Sequence, residues 1–416
     1  MRRANDPRQE DAKPAEIYLI GTAGHPNYGD ELITAGWLRY YAHALPDAKI
    51  WLDTPRPGQS AVLLDGIHPG LRCVDSLYHA AWNTPSQHPS EVLDFGQRVV
   101  REPGLIPREA TGIENFGTVD LVHIIGGGFL NGIWPHHLSL IAAAGAIAEV
   151  HGAKTAITGA GLSPFAEDSQ EWLGPILSRF DVVDVRDKES RAALAPYVPQ
   201  LTQTSDDSFL DLIPELFDSS RSTRTALNIQ SDMLDVSLDE IAAYTIKTLQ
   251  HWGVDQDPIT LYECMPPNDS AIVPLLQSSL PKLEVVAYSK LWRNGFPSEL
   301  GQRWITTRMH THLMAAAQGA SGLIIPTGSD YYRVKHQSLI DLGSDWMVAP
   351  NLTEPIDVDP RPKIPYGGRL DSIRLTKRDV AAQVVALAPS TPQRDQPRGG
   401  RSVLDITRFD LRRSAR

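Results

Sequence analysis

The stretch EIYLIGTAGHPNYGDELITAGWLRYYAHAL, residues 16–45, decides how the chain is read. An apolar run stops at Gly21, a loop of small and polar residues follows, and an amphipathic pattern opens at Asp30. The run shows no polar alternation, which is the pattern of a strand covered on both faces in a parallel sheet. A strand that opens through a loop into a helix is the first half of a βαβ unit. In open sheets of this kind ligands sit beyond the carboxyl ends of the strands. The loop holds His25 and Asn27, and Asp30 and Glu31 stand at the mouth of the helix, with Asp30 placed to cap it. A loop that only reverses the chain needs fewer functional groups than these.

The same alternation continues along the chain. Further strands are expected at KIWLD, VDLVHIIG, AKTAITGA and VVDVR, with helices at HHLSLIAAAGAIAEVHG, SQEWLGPILSRF and DKESRAALAPY. Residues 55–118 are rich in Pro and Gly and read as an inserted helix with loops. A break falls at PELFDSSRSTR, residues 214–224, and a second alternating series runs from TALNIQ to YRVKHQSLIDLG. The fold class is therefore α/β, with two Rossmann-like doubly wound domains facing across a cleft. The expected boundaries are 16–218 and 219–388, with a polar tail at 1–15 and a basic tail at 389–416.

Composition narrows the function. The chain has 416 residues, 42% of them hydrophobic and 21% charged, with a formal net charge of −11, which opposes broad binding of nucleic acid. Cys73 and Cys264 form neither a disulfide framework nor a zinc motif. No apolar run approaches the roughly 20 residues of a membrane span, and the N-terminus lacks the apolar core of a signal peptide. A cytoplasmic protein is expected. From Ser390 the tail carries seven Arg against three Asp, with apolar residues interspersed. It reads as a solvated tail, with peripheral contact at the inner face of the membrane as the alternative.

The chemistry sits in loops after strands. In HIIGGGFLNGIWPHH the glycines Gly126, Gly127 and Gly128 let the backbone approach a ligand, although a tight turn explains them equally well. Neither the dinucleotide G-x-G-x-x-G nor the G-x-x-x-x-G-K-[ST] phosphate loop is present. Arg186 ends a strand and faces the crevice, with Asp187 as N-cap of the next helix; a salt bridge is the alternative role for Arg186. In RWITTRMHTHLMAAAQG, Arg308 and His310 stand between a strand and a helix N-terminus, where backbone N–H groups and an arginine fork favour an anion. His310 can move a proton beside that anion. His310 and His312 lack a third ligand, so no metal is expected, and His312 is placed in the cleft wall.

NYGDELI, GGGFL, TGAGLSP, VRDKES, SDDSFLDL and RMHTHLMAA…GLIIPTG…YRVK stand in the order and separations of the polysaccharide pyruvyl transferase family, which the chain resembles over roughly residues 17–342. The resemblance implies a GT-B-like pair of Rossmann-like domains. It implies transfer of the pyruvyl group of phosphoenolpyruvate to two hydroxyls of a sugar as a cyclic ketal, with no cofactor beyond phosphoenolpyruvate as donor. By position, the donor would lie on Arg186, Arg308, Met309 and His310, and the acceptor side would carry Asn27, Asp30, Gly127 and Gly128. His310 is the expected acid and Asp30 or Glu31 the expected base, with the reverse assignment open. The partners implied are phosphoenolpyruvate and a cell-envelope sugar, lipid-linked in one version. Two departures stand out: AGHP precedes NYGDE, and GAGLSP replaces a Gly-Gln-Gly-like stretch. The divergent 55–118 region shapes the acceptor pocket and leaves the acceptor sugar open. The rivals are a nucleotide-sugar glycosyltransferase on the same fold, a non-catalytic glycan- or anion-binding protein, and, more remotely, an NAD-dependent oxidoreductase.

Overall fold

In the computed structural model the described residues are 13–389, apart from 219, 221, 329 and 360. The tails expected at 1–15 and 389–416 lie outside this range except for residues 13–15 and 389.

The first sheet holds seven strands: β1 (Glu16–Ile20), β2 (Lys49–Asp53), β3 (Leu71–Val74), β4 (Leu121–Ile124), β5 (Lys154–Ala160), β6 (Val182–Val185) and β7 (Leu201–Gln203). All pair in parallel, in the order β3-β2-β1-β4-β5-β6-β7. Helices α1 (Tyr28–Ala44), α2 (Pro57–Leu63), α3 (Ser76–Trp82), α4 (Pro89–Arg101), α5 (Ala110–Glu114), α6 (Leu138–His151), α7 (Ser169–Leu177) and α8 (Lys188–Leu194) connect them.

The second sheet has β8 (Thr225–Asn228), β9 (Ile259–Tyr262), β10 (Leu283–Val286), β11 (Arg303–Thr306), β12 (Ser321–Ile324) and β13 (Met347–Val348), with α9 (Leu238–His251), α10 (Val273–Gln277), α11 (Tyr288–Asn294), α12 (Met309–Ala317), α13 (Asp330–Asp341) and α14 (Leu370–Val385). Its order is β10-β9-β8-β11-β12-β13, so counted within its own sheet it repeats 3-2-1-4-5-6, the doubly wound order of the first. The fold is thus α/β with two Rossmann-like units, the GT-B-like arrangement. The order reverses between β1 and β4 in one sheet and between β8 and β11 in the other, and these switch points put their loops on one cleft.

Local chemistry sets several boundaries. Asn27, not Asp30, caps α1: its side chain accepts the Gly29 N–H, so the helix begins two residues earlier than the apolar pattern suggests and Asp30 falls in its first turn. Asp187 caps α8 by accepting the Ser190 N–H at 2.7 Å. Ser237 and Glu240 form a capping box on α9. The 55–118 region contains not one inserted helix but α2 to α5 and the edge strand β3, whose LRCV sequence is short and only half-buried and so carries little periodic signal.

Each sheet is packed on both faces. Two clusters cross between units. Tyr28, Leu32, Phe209 and Leu212 join the core under α12. Val380, Ala381 and Val384 of α14 pack with Ile17, Leu19 and Trp37. The C-terminal helix therefore returns to the first sheet, and a single division at 218/219 does not describe it. No helix among the described residues is long and apolar enough to cross a membrane.

Candidate active site

A cavity of about 400 Å³ lies between the units. Its walls come from segments that follow strands: Thr22 and Asn27 after β1, Pro55 after β2, Gly128 after β4, Arg186 after β6, Asp232 after β8, Cys264 after β9, Arg308 after β11 and Tyr331 after β12. This is where parallel sheets hold ligands.

Asn27, Asp30, Gly128, Arg186, Arg308, Met309 and His310 all line it. Glu31 and Gly127 do not. Glu31 is fully buried, and its Oε1 accepts the Gly24 N–H at 2.7 Å, bracing the first-strand loop from behind. Burial lifts its carboxyl to about 8. Gly127 sits at φ +153° against the Phe129 ring and bridges to Ala160, a backbone role. His312 also lies outside the cavity lining, buried against His336 at 3.2 Å and stacked on Trp346.

Two glycines let the units close on each other. A methyl group on Gly29 would lie 1.8 Å from His310 Nδ1, so the imidazole of the second unit rests on the backbone of α1. A methyl group on Gly128 would lie 2.6 Å from Tyr331 Oη and 2.9 Å from Lys335 Nζ. Tyr331 donates to the Gly128 carbonyl at 2.6 Å across the same seam.

The cations are held differently. Arg308 is clamped by Asp269, which accepts from Nε at 2.9 Å and Nη2 at 2.6 Å, and by Asp232 at 2.6 Å. Although burial opposes its charge, these carboxylates keep its guanidinium protonated. Arg186 Nη1 donates to Asp206 at 2.8 Å, while its Nε is buried without a hydrogen-bond partner among the described residues. Lys335 lies 3.6 Å from the Tyr331 ring centroid, and no carboxylate among the described residues pairs with it. Burial and the neighbouring Arg186 push its ammonium well below the ordinary lysine range. At the N-terminus of α12 the first backbone N–H groups have no partner inside the helix.

The titratable groups meet at the seam. Asp206 Oδ1 lies 3.4 Å from His310 Nε2 and accepts from Ser208 N and Oγ at 2.9 and 2.6 Å. Burial works against its charge, yet His310, Arg186 and Ser208 hold the carboxyl well below its usual range. Asp30 accepts from Asn27 Nδ2 at 2.9 Å, and burial raises its carboxyl against the pull of His310 and Lys335. Sequence reasoning missed Lys335 and Asp206, although YRVK and SDDSFLDL were in view, and it missed Asp232 and Asp269. Acidic residues spread over 64 positions carry no local pattern that predicts their convergence on two arginines.

Among the described residues one cluster has metal-ligand geometry, Asp75, His79 and Glu109, and none of its members lines the cavity.

No curated protein matches the sequence. Among solved structures the chain is similar to the UDP-GlcNAc 2-epimerase of Neisseria meningitidis bound to UDP-GlcNAc, at 10% identity over 89% of this chain and 94% of that one, with a TM-score of 0.47. It is similar to a UDP-glucosyltransferase from Polygonum tinctorium at 13% identity over 90% and 97%, TM-score 0.43. It is also similar to MurG of Acinetobacter baumannii at 11% over 90% and 94%, TM-score 0.41. The polysaccharide pyruvyl transferase family model matches residues 27–270, more than half of the chain, with Arg308, His310 and Lys335 beyond the matched span. Because that match covers more than half of the chain, the chain belongs to the polysaccharide pyruvyl transferase family.

Proposed function

We propose that the protein transfers the pyruvyl group of phosphoenolpyruvate to two hydroxyls of a cell-envelope sugar, forming a cyclic ketal and releasing phosphate. The observation that carries this reading is the meeting of Arg186, Arg308, Lys335 and the α12 N-terminus in the cavity that also holds His310 and Asp30. A small, multiply charged carboxylate–phosphate suits such an end. The unpaired Arg186 Nε adds a buried donor.

The Asp206 carboxylate, 3.4 Å from Nε2, helps to orient the His310 ring. In the proposed reaction His310 protonates the methylene carbon of the donor and positive character develops at C2. A sugar hydroxyl attacks C2 and gives its proton to Asp30. The C2–O bond to phosphate then breaks, its electrons leaving with phosphate, and the second hydroxyl closes the ring. The two hydroxyl protons end on the new methyl group and on phosphate, so the reaction balances without a redox partner. The acceptor is read as part of a polysaccharide or of a lipid-linked precursor of one, met in the cytoplasm.

Calorimetry and thermal unfolding with phosphoenolpyruvate, UDP and UDP-sugars test the donor. Binding and stabilisation by phosphoenolpyruvate are expected. Stabilisation by UDP-sugars alone would move the protein to the glycosyltransferases. Phosphoenolpyruvate binding without phosphate release on any envelope glycan would leave a binding protein.

A further inference from the structure

The cation-lined part of the cavity is joined, through Tyr331, to a wall of aromatic side chains that the proton chemistry does not use. Trp134 lies edge-on to Tyr331 at 6.0 Å and stacks with His137 at 6.4 Å. His137 meets Tyr78 at 5.5 Å, and Tyr78 meets Trp82 at 6.0 Å. Both tryptophans line the cavity, and Trp82 is 47% exposed.

Their positions are built rather than incidental. Asn131 accepts the Ile133 N–H at 2.9 Å and donates to the Gly128 carbonyl at 2.8 Å, and Gly132 N–H donates to the Pro164 carbonyl at 2.7 Å. These bonds fix the loop that presents Trp134. Trp82 is the last residue of α3, and next to it Asn83 Nδ2 donates to the His79 carbonyl at 2.7 Å. A single exposed tryptophan is unremarkable, but two fixed indoles lining one polar-ended cavity leave an apolar wall for a ligand to cover.

We propose that Trp134 and Trp82, at the two ends of this aromatic wall, are the stacking surfaces that the acceptor sugar covers, with its hydroxyl rim turned toward Asp30 and His310. This rests on the pyruvyl-transfer reading. A pyranose is two-sided: its axial C–H groups form an apolar patch that suits the electron-rich face of an indole, while its hydroxyls project at the edge. Lying flat on an indole fixes the ring plane without consuming a hydroxyl. Any neighbouring pair then remains free to react, which a diol acceptor requires.

Saturation-transfer NMR with methyl pyranosides of the galacto, gluco and manno series, and with uridine, tests the platform in the full chain with and without phosphoenolpyruvate. Transfer to the axial ring protons of at least one pyranoside is expected. In Trp82→Ala and Trp134→Ala it should fall, and the acceptor KM should rise about tenfold, while phosphoenolpyruvate affinity by calorimetry stays within about twofold. Because Trp82 is half exposed, its variant also guards against loss of folding as the cause. The idea is overturned if no pyranoside receives saturation, if uridine does and the pyranosides do not, or if both variants keep the wild-type acceptor KM. Tryptophan-dependent pyranoside binding in a protein that fails to bind phosphoenolpyruvate would keep the platform and sink the pyruvyl reading.

Discussion

At the scale of residues, the two candidate proton carriers should fail in different ways. His310→Gln keeps Arg186, Arg308 and Lys335, so phosphoenolpyruvate binding by calorimetry should persist while turnover falls about 10²–10⁴-fold. Asp30→Asn should not lower the melting temperature, because Asn27 rather than Asp30 caps α1, and should still slow transfer at saturating donor. A stable, fully active Asp30→Asn protein would remove Asp30 from the chemistry. Glu31 carries a separate prediction. Its carboxyl titrates near 8 in the folded protein against an ordinary 4.5, so the folded state binds the extra proton between those values. Stability from this group is present at low pH and declines as pH rises through that window. Glu31→Gln can still accept the Gly24 N–H and carries no ionisable group, so it should melt higher than wild type at pH 8, with the difference shrinking toward pH 5. Parallel melting curves at pH 8 would contradict this.

At the scale of elements, two buried polar assemblies hold the site from behind. His336 Nε2 donates to the Thr307 carbonyl at 3.1 Å, so its Nδ1 must accept from His312 Nδ1–H, and His312 Nε2 must accept from the Ser344 hydroxyl at 2.6 Å. This one-way chain needs both rings neutral, and burial pushes both downward, His336 to about 4. It ties α12 and α13 to the residue before Arg308. The other assembly fastens α14. Lys377 is fully buried, with Nζ 2.7 Å from Asp184 and 3.0 Å from Asp207. Asp207 also accepts from Trp37, Thr158 and Gly126 N–H, and it adjoins the Asp206 that meets Arg186 and His310. Lys377→Met would strand two buried carboxylates and should destabilise the protein by about 3–5 kcal/mol. Denaturant unfolding monitored at the tryptophans measures it. An unchanged transition would mean that apolar packing alone holds the helix.

At the scale of the molecule, the separation of the units is set where side chains of one rest on glycines of the other. Gly29 lies in the first turn of α1, where alanine fits the helix, so Gly29→Ala should fold and melt close to wild type. Its methyl group would nevertheless displace His310, and turnover should fall by at least about tenfold with donor affinity less affected. Wild-type turnover in this variant would mean that His310 need not sit there. The α/β class and both winding series were legible in the sequence because a strand covered on both faces must be continuously apolar, and a surface helix must alternate. The strand-end loops bearing Asn27, Gly128, Arg186 and Arg308 were legible for the same reason: the chain order of such units places them at one edge. The edge strands β3, β7 and β13 were not, being too short for a period to show. Nor was the return of α14 to the first sheet, since an amphipathic helix records that it has a partner but not which one. The clamping of Arg186 and Arg308 by Asp206, Asp232 and Asp269, and the seating of Lys335 on the Tyr331 ring and of His310 on Gly29, were decided only by tertiary structure. Charge pairing and steric fit act through space, between residues whose distance along the chain carries no information about their distance in the fold.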